Sequence, residues 1–138
     1  MAAYNFKQQF VGPIRAGTKK HTIRRERKDG RRPKIGEALA LYCGMRTKGC
    51  FKILKDNPPC TAVRSIWIEK PLTRDWTIRI GDIGDPPLDA GEMETLARSD
   101  GFANFKEFAT FWLKEHGDVS GPLHMRAVYF SGIIIHWR

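Results

Sequence analysis

Sustained helical periodicity occurs in one window of this chain only, and its late position constrains the fold more than any other feature. Asp89 with Glu92 three residues on makes an N-terminal capping pattern ahead of Met93, Leu96 and Ala97, and Gly101 ends that helix. Asn104 caps a second helix whose Phe105, Phe108, Ala109 and Trp112 form one stripe, closed by Gly117; the stripe reads as core. On either side lie short runs of strand character: residues 20–25, 38–43, 50–54, 61–69, 76–80, 123–130 and 133–137, the last two separated at Ser131-Gly132. Near the start, Phe6, Phe10 and Ile14 share helical spacing, although Gly12-Pro13 limits any helix there to short turns. Helices inserted late among strands, rather than alternating with them, predict an α+β fold built as a small β-barrel. The count is five to seven strands and two or three flanking helices. At 138 residues the chain has room for one domain, 1–138, with its own core.

The charge is local. Residues 1–35 hold eleven basic and two acidic side chains, while the remaining 103 hold thirteen of each, so the net +9 resides at the start. Lys19, Lys20, Arg24, Arg25, Arg27, Lys28, Arg31, Arg32 and Lys34 make up the block. Beside a folded body, such a block reads as a surface for the phosphates of a nucleic acid, since each neutralised phosphate releases condensed counterions. Gly30 and Pro33 interrupt it, which argues against a basic amphipathic helix lying on a membrane. No helix carries a basic face to read a DNA groove, which makes double-stranded DNA the less expected nucleic-acid partner. The longest apolar run is far short of the roughly 20 residues that cross a bilayer, and the start has no signal-peptide core. The chain reads as cytoplasmic.

Two clusters carry candidate chemistry. In the first, a turn at Gly17 feeds a strand through Thr18-Lys19-Lys20-His21-Thr22-Ile23-Arg24-Arg25, with Lys20, Thr22 and Arg24 on one strand face. A Lys, a Thr hydroxyl and an Arg at a strand entrance are groups that hold a phosphate or polarise a carbonyl oxygen. In the second, a strand ends in Tyr42-Cys43-Gly44-Met45-Arg46-Thr47-Lys48-Gly49, where Tyr42 can stack on a base and Lys48 can neutralise a phosphoryl oxygen. Asp100 sits at a helix end, where a carboxylate opposes the helix dipole and calls for a partner cation or a catalytic role. Asp82 and Asp85 read as turn residues. His21, His116, His124 and His136 are scattered, and nothing in their spacing brings two together. Cys43, Cys50 and Cys60 form no Cys-x-x-Cys pair, which argues against a zinc site or a disulfide framework. No cofactor is implied, and a divalent metal is not legible in the sequence.

Taken together, Gly17-x-Lys19-x-x-Thr22-Ile23-Arg24, Gly36 ahead of the strand to Tyr42, Asp100-Gly101-Phe102 and the closing Gly132-Ile-Ile-Ile-His136-Trp137 resemble the ASCH domain family, from about Phe6 to the C-terminus. The resemblance is to the bacterial and phage versions. It implies a PUA-like barrel with a cleft for RNA or a nucleoside. In the branch that deacetylates N4-acetylcytidine, a Lys, a Thr and a Glu are catalytic; these positions fall on Lys19, Thr22 and Asp100, the last one methylene shorter. The long basic stretch and the Arg46-Thr47-Lys48 loop suit a polyanion better than a free nucleoside. The leading expectation is therefore a ribonuclease acting on single-stranded RNA. Arg24 and the basic block would hold the backbone, and Tyr42 would place a base. Lys48 with Lys19 would stabilise the phosphorane, Thr22 and Ser131 would orient the phosphate, and Asp100 would orient Lys19. The alternatives are the amidohydrolase and a non-catalytic RNA-binding module.

Overall fold

The computed structural model describes residues 2–82, 84–118 and 121–137. Seven strands and three α-helices make an α+β fold in two sheets. The smaller sheet has the order β1 (Ala2–Phe6), β3 (Leu39–Cys43), β4 (Phe51–Lys52). The larger runs β2 (His21–Arg24), β7 (Val128–Trp137), β5 (Cys60–Lys70), β6 (Thr77–Ile80). Among the described residues no helix is long and apolar enough to cross a membrane.

β7 is the spine of the larger sheet. It pairs antiparallel with β2 on one side and along its whole length with β5 on the other. A strand enclosed by neighbours and covered on both faces needs apolar residues at consecutive positions, and Ile133, Ile134 and Ile135 are all buried. The expected break at Ser131-Gly132 is corrected: both residues lie inside one strand, and Leu123–Met125 is a single 3₁₀ turn before it. Gly132 marks a close approach rather than a turn, because a Cβ there would collide with the Arg24 carbonyl and the Phe130 ring. β1 was not expected at all. Its parallel pairing with β3 sets Asn5 opposite Tyr42 and Phe6 opposite Cys43.

The helices form where the caps place them. α2 (Ala90–Ser99) opens on a reciprocal capping box between Asp89 and Glu92, and α3 (Phe105–His116) on Asn104, whose Oδ1 accepts from the Glu107 amide at 2.9 Å. α1 (Val11–Ala16) is short, as Gly12-Pro13 requires, and Gly17 caps it in a left-handed conformation. Phe10 packs edge-on against Phe102, and Phe102 against Phe108, which stacks on Trp112. These contacts join α1 to α3 through the loop after α2. Cys43 and Cys60 are buried and Cys50 is exposed, all as free thiols.

Gly132→Ala is expected to cost about 1–3 kcal/mol of stability, because the added methyl overpacks the seam between β2 and β7. Urea unfolding checks this, and a loss below a few tenths of a kcal/mol would show that the seam yields freely.

Candidate functional site

The residues before β2 follow no strand alternation, and this decides which lysine turns inward. The Lys20 amide donates to Ser99 O at 2.9 Å and its carbonyl accepts from the Trp137 amide at 2.9 Å, so its backbone is pinned between α2 and β7. The Lys19 amide donates to Pro13 O at 3.0 Å. Lys19 points into the protein and is 3% exposed; Lys20 points out. The strand face expected to hold Lys20, Thr22 and Arg24 is thus corrected: Lys19 joins Thr22 and Arg24, while Lys20 lines a different cavity.

Lys19 Nζ donates to Asp100 Oδ1 at 2.9 Å and to Asp100 O at 2.7 Å, and lies 4.6 Å from the centre of the Phe10 ring. Asp100, the C-cap of α2, is 5% exposed. Gly101 makes this approach feasible: it adopts φ +99°, and a Cβ there would press on the Lys19 stem and Phe10. His21 approaches the same carboxylate oxygen. Its Nε2 lies 3.2 Å from Asp100 Oδ1, in a contact too bent for a well-formed hydrogen bond. Burial pulls the Lys19 amine below the ordinary lysine range, against the attraction of Asp100. Burial alone would raise the Asp100 carboxyl, but Lys19 and His21 together hold it below the usual carboxylate range. A lysine that gives up its proton more readily, beside a carboxylate that remains charged, is suited to accept and return a proton.

A cleft of about 270 Å³ opens onto this pair. Thr22 and Arg24 line one wall, Phe10 and Phe111 another, and His116 and Phe130 a third. Arg24 Nε donates to Thr22 Oγ1 at 3.0 Å, so the hydroxyl oxygen is already an acceptor and its proton is left to donate elsewhere. On the far side of Asp100 lies a groove of about 1100 Å³ with His21, His136 and Arg64 on one wall and Asp89 and Glu92 on the other. The His21 and His136 rings meet edge-on at 5.4 Å, a pairing that spacing did not reveal. Arg64 Nη2 lies 3.1 Å from His136 Nε2, which must accept because a guanidinium only donates. His136 is therefore neutral, its pKa lowered to about 4 by burial, His21 and Arg64.

The second expected cluster does not converge on the cleft. Tyr42 is half-buried on β3, Lys48 and Arg46 are exposed on the loop after it, and Ser131 is exposed on β7; none lines the cleft. That loop nevertheless hangs from the cleft's rim, since the Met45 amide donates to Asn5 Oδ1 at 2.9 Å and Asn5 lines the cleft. The basic block also divides. Arg24 and Arg25 line the cleft, and with Arg27 and Arg31 they line a neighbouring hollow. Arg32 pairs with Glu26, and Lys28 is exposed. His21, His116 and His136 were seen in the sequence but not as site residues. The strand position of His21, one residue before Thr22, is the signal that put it beside Asp100. Among the described residues no group of three or more His, Cys, Asp or Glu side chains is placed to hold a metal ion.

Removing either partner of a buried ion pair strands a charge, at a cost of about 3–5 kcal/mol. Lys19→Met and Asp100→Leu should each show it, and the double variant should cost well under the sum; additive losses in urea unfolding would mean that the two groups do not stabilise each other. Below the ordinary histidine range, the unfolded chain binds a proton at His136 that the folded chain rejects until about pH 4. Stability should therefore fall as pH drops from about 6.5 to about 4, and His136→Gln should make that slope shallower in denaturation midpoints measured across the window. Comparison with protein-family models, with curated proteins and with solved structures finds no match to this chain.

Proposed function

We propose that the protein is an ASCH-type, PUA-like RNA-binding domain that removes an N-acyl group from a cytidine-type base held in the cleft. The observation that carries this reading is the buried Lys19–Asp100 pair, 2.9 Å apart, on the floor of a cleft that Thr22 also lines. The cleft volume lies at the small end of ligand sites, which suits one nucleoside rather than a run of nucleotides. Phe10, Phe111 and Phe130 contribute apolar ring surface to the lining, against which one base can pack. The arginine-rich surface beside the cleft supplies the attraction for a polyanion. Two sheets of three and four strands, flanked by helices, are compatible with a PUA-like barrel.

In the reaction, the fraction of Lys19 that has lost its proton, a form that burial favours, takes a proton from water as the water oxygen adds to the acyl carbon. Thr22, polarised by Arg24, donates its hydroxyl proton in a hydrogen bond to the acyl oxygen as charge develops there. Lys19 then returns the proton to the departing amino nitrogen. The carbon–nitrogen bond breaks, and the products are a carboxylic acid and the free amine. Asp100 holds Lys19 through two acceptors, its carboxylate and its own carbonyl, so the shorter side chain still closes the pair.

A second reading, single-strand ribonuclease action, is favoured by the loop that carries Arg46 and Lys48, because the Met45 amide ties that loop to Asn5, a residue of the cleft lining. One experiment separates the two. Purified protein is incubated with N4-acetylcytidine and, separately, with end-labelled single-stranded RNA with and without EDTA. Release of cytidine that falls at least about 100-fold in Lys19→Ala and in Thr22→Val supports the amidohydrolase. Cleaved RNA that is lost in Lys48→Ala and Tyr42→Phe, with no cytidine released from N4-acetylcytidine, would replace it with the nuclease. Turnover of neither, with salt-sensitive RNA binding, would leave a binding module.

A further inference from the structure

Arg24 is an anomaly in charge. Its guanidinium is half-buried and sits against the Phe6 and Tyr4 rings at 4.9 and 5.4 Å. Its hydrogen bonds go to neutral acceptors, Asn5 O at 2.6 Å and Thr22 Oγ1 at 3.0 Å. Among the described residues no carboxylate lies within ion-pair distance of it. Asp100 attracts it only from beyond that distance, and a guanidinium cannot shed its proton at neutral pH, so its partial enclosure is costly unless a closer anion arrives to pair with it.

The place for that anion is the adjoining hollow of about 260 Å³. Arg24, Arg25, Arg27 and Arg31 line it, with Tyr4 and Pro33 beside them, and no acidic side chain does. Asp29 pairs with Arg27 at 3.1 Å, both side chains being well exposed, and so offsets one charge only in part. Arg25 lies 5.0 Å over the Phe130 ring, which borders the cleft. Arg24 and Arg25 are common to both cavities, so a ligand filling the cleft has its next group at the hollow. Four arginines border this one space, and guanidinium forks that turn to a phosphate bind its oxygens through paired hydrogen bonds.

We propose that the four-arginine hollow is a phosphate subsite contiguous with the cleft, so that the ligand is a nucleotide within an RNA chain rather than a free nucleoside. The inference rests on the nucleoside reading of the cleft for the base, but the anion site stands on its own residues.

Isothermal titration of the native protein and of Arg27→Ala/Arg31→Ala separates the two. Both substituted side chains are on the exposed loop after β2, outside the core. The probes are cytidine, cytidine 5′- and 3′-monophosphate, inorganic pyrophosphate and a short single-stranded RNA. The native protein should bind one of the monophosphates at least about tenfold more tightly than cytidine, as expected for a hydrogen-bonded charge pair. The double variant should bring that ratio close to one. The RNA should bind more tightly than either monophosphate, and its log–log salt slope should become shallower by about 0.7, the value for one phosphate contact, in the variant. Equal affinity for cytidine and both monophosphates in the native protein would overturn the proposal, as would a phosphate preference that persists in the variant. RNA binding no tighter than the monophosphates would assign the subsite to a free nucleotide and overturn the chain. Pyrophosphate binding that needs the two arginines, with no cytidine binding, would uphold the anion site while removing the nucleoside from the cleft.

Discussion

The buried pair between Lys19 and Asp100 is the interaction on which the arrangement of this protein depends. It joins the entrance of β2 to the end of α2 across 81 residues of sequence. Neither charge could be enclosed alone, because removal from water costs an isolated ion several kcal/mol. The pair, with the Asp100 carbonyl as an additional acceptor, makes enclosure tolerable and fixes where the helical segment meets the sheet. Gly101, free of a Cβ, lets the lysine stem pass against the helix end.

The same carboxylate faces two environments. It meets Lys19, which with Thr22 and Arg24 lines the cleft, and His21, which lines the groove and packs edge-on against His136. β2 creates this division, since adjacent residues of a strand project to opposite faces. The charge on Asp100 is thus shared between a lysine inclined to lose its proton and a histidine without a well-directed bond. The helix dipole at the C-terminus of α2 disfavours a carboxylate there, and the two basic neighbours offset it. The cleft's lining mixes these polar groups with the rings of Phe6, Phe10, Phe111 and Phe130, so a ligand meets both polar and apolar surface there.

Much of this was legible in the chain. The caps at Asp89 and Asn104 and the stripe from Phe105 to Trp112 report local periodicity, and both helices lie where those signals place them. The consecutive isoleucines of β7 report burial on both faces. Less legible was the role of each glycine. Ser131-Gly132 has the composition of a turn, yet Gly132 is there because the Arg24 backbone passes too close for a side chain. β1 left no signal because its pairing with β3 is parallel and long-range. The candidate site divides in the same way. Lys19, Thr22 and Asp100 converge on the cleft or its floor. Tyr42, Lys48 and Ser131, equally polar and equally suggestive as residue types, stand outside it.

By itself, the sequence determined the two capped helices and their ends, most of the strands between residues 20 and 80, and the concentration of positive charge before residue 36, because periodicity, capping and composition act locally. Only the tertiary structure decided that Lys19 rather than Lys20 turns inward. It also put His21 and His136 together, and it divided one continuous basic block between a cleft, a hollow and open solvent. Those outcomes depend on which backbone groups of β7 and α2 seize the chain at Lys20, and on which cavities the packed aromatic residues leave behind. Contacts between residues far apart in the chain are set by packing and by the pairing of buried charge, which no local pattern encodes.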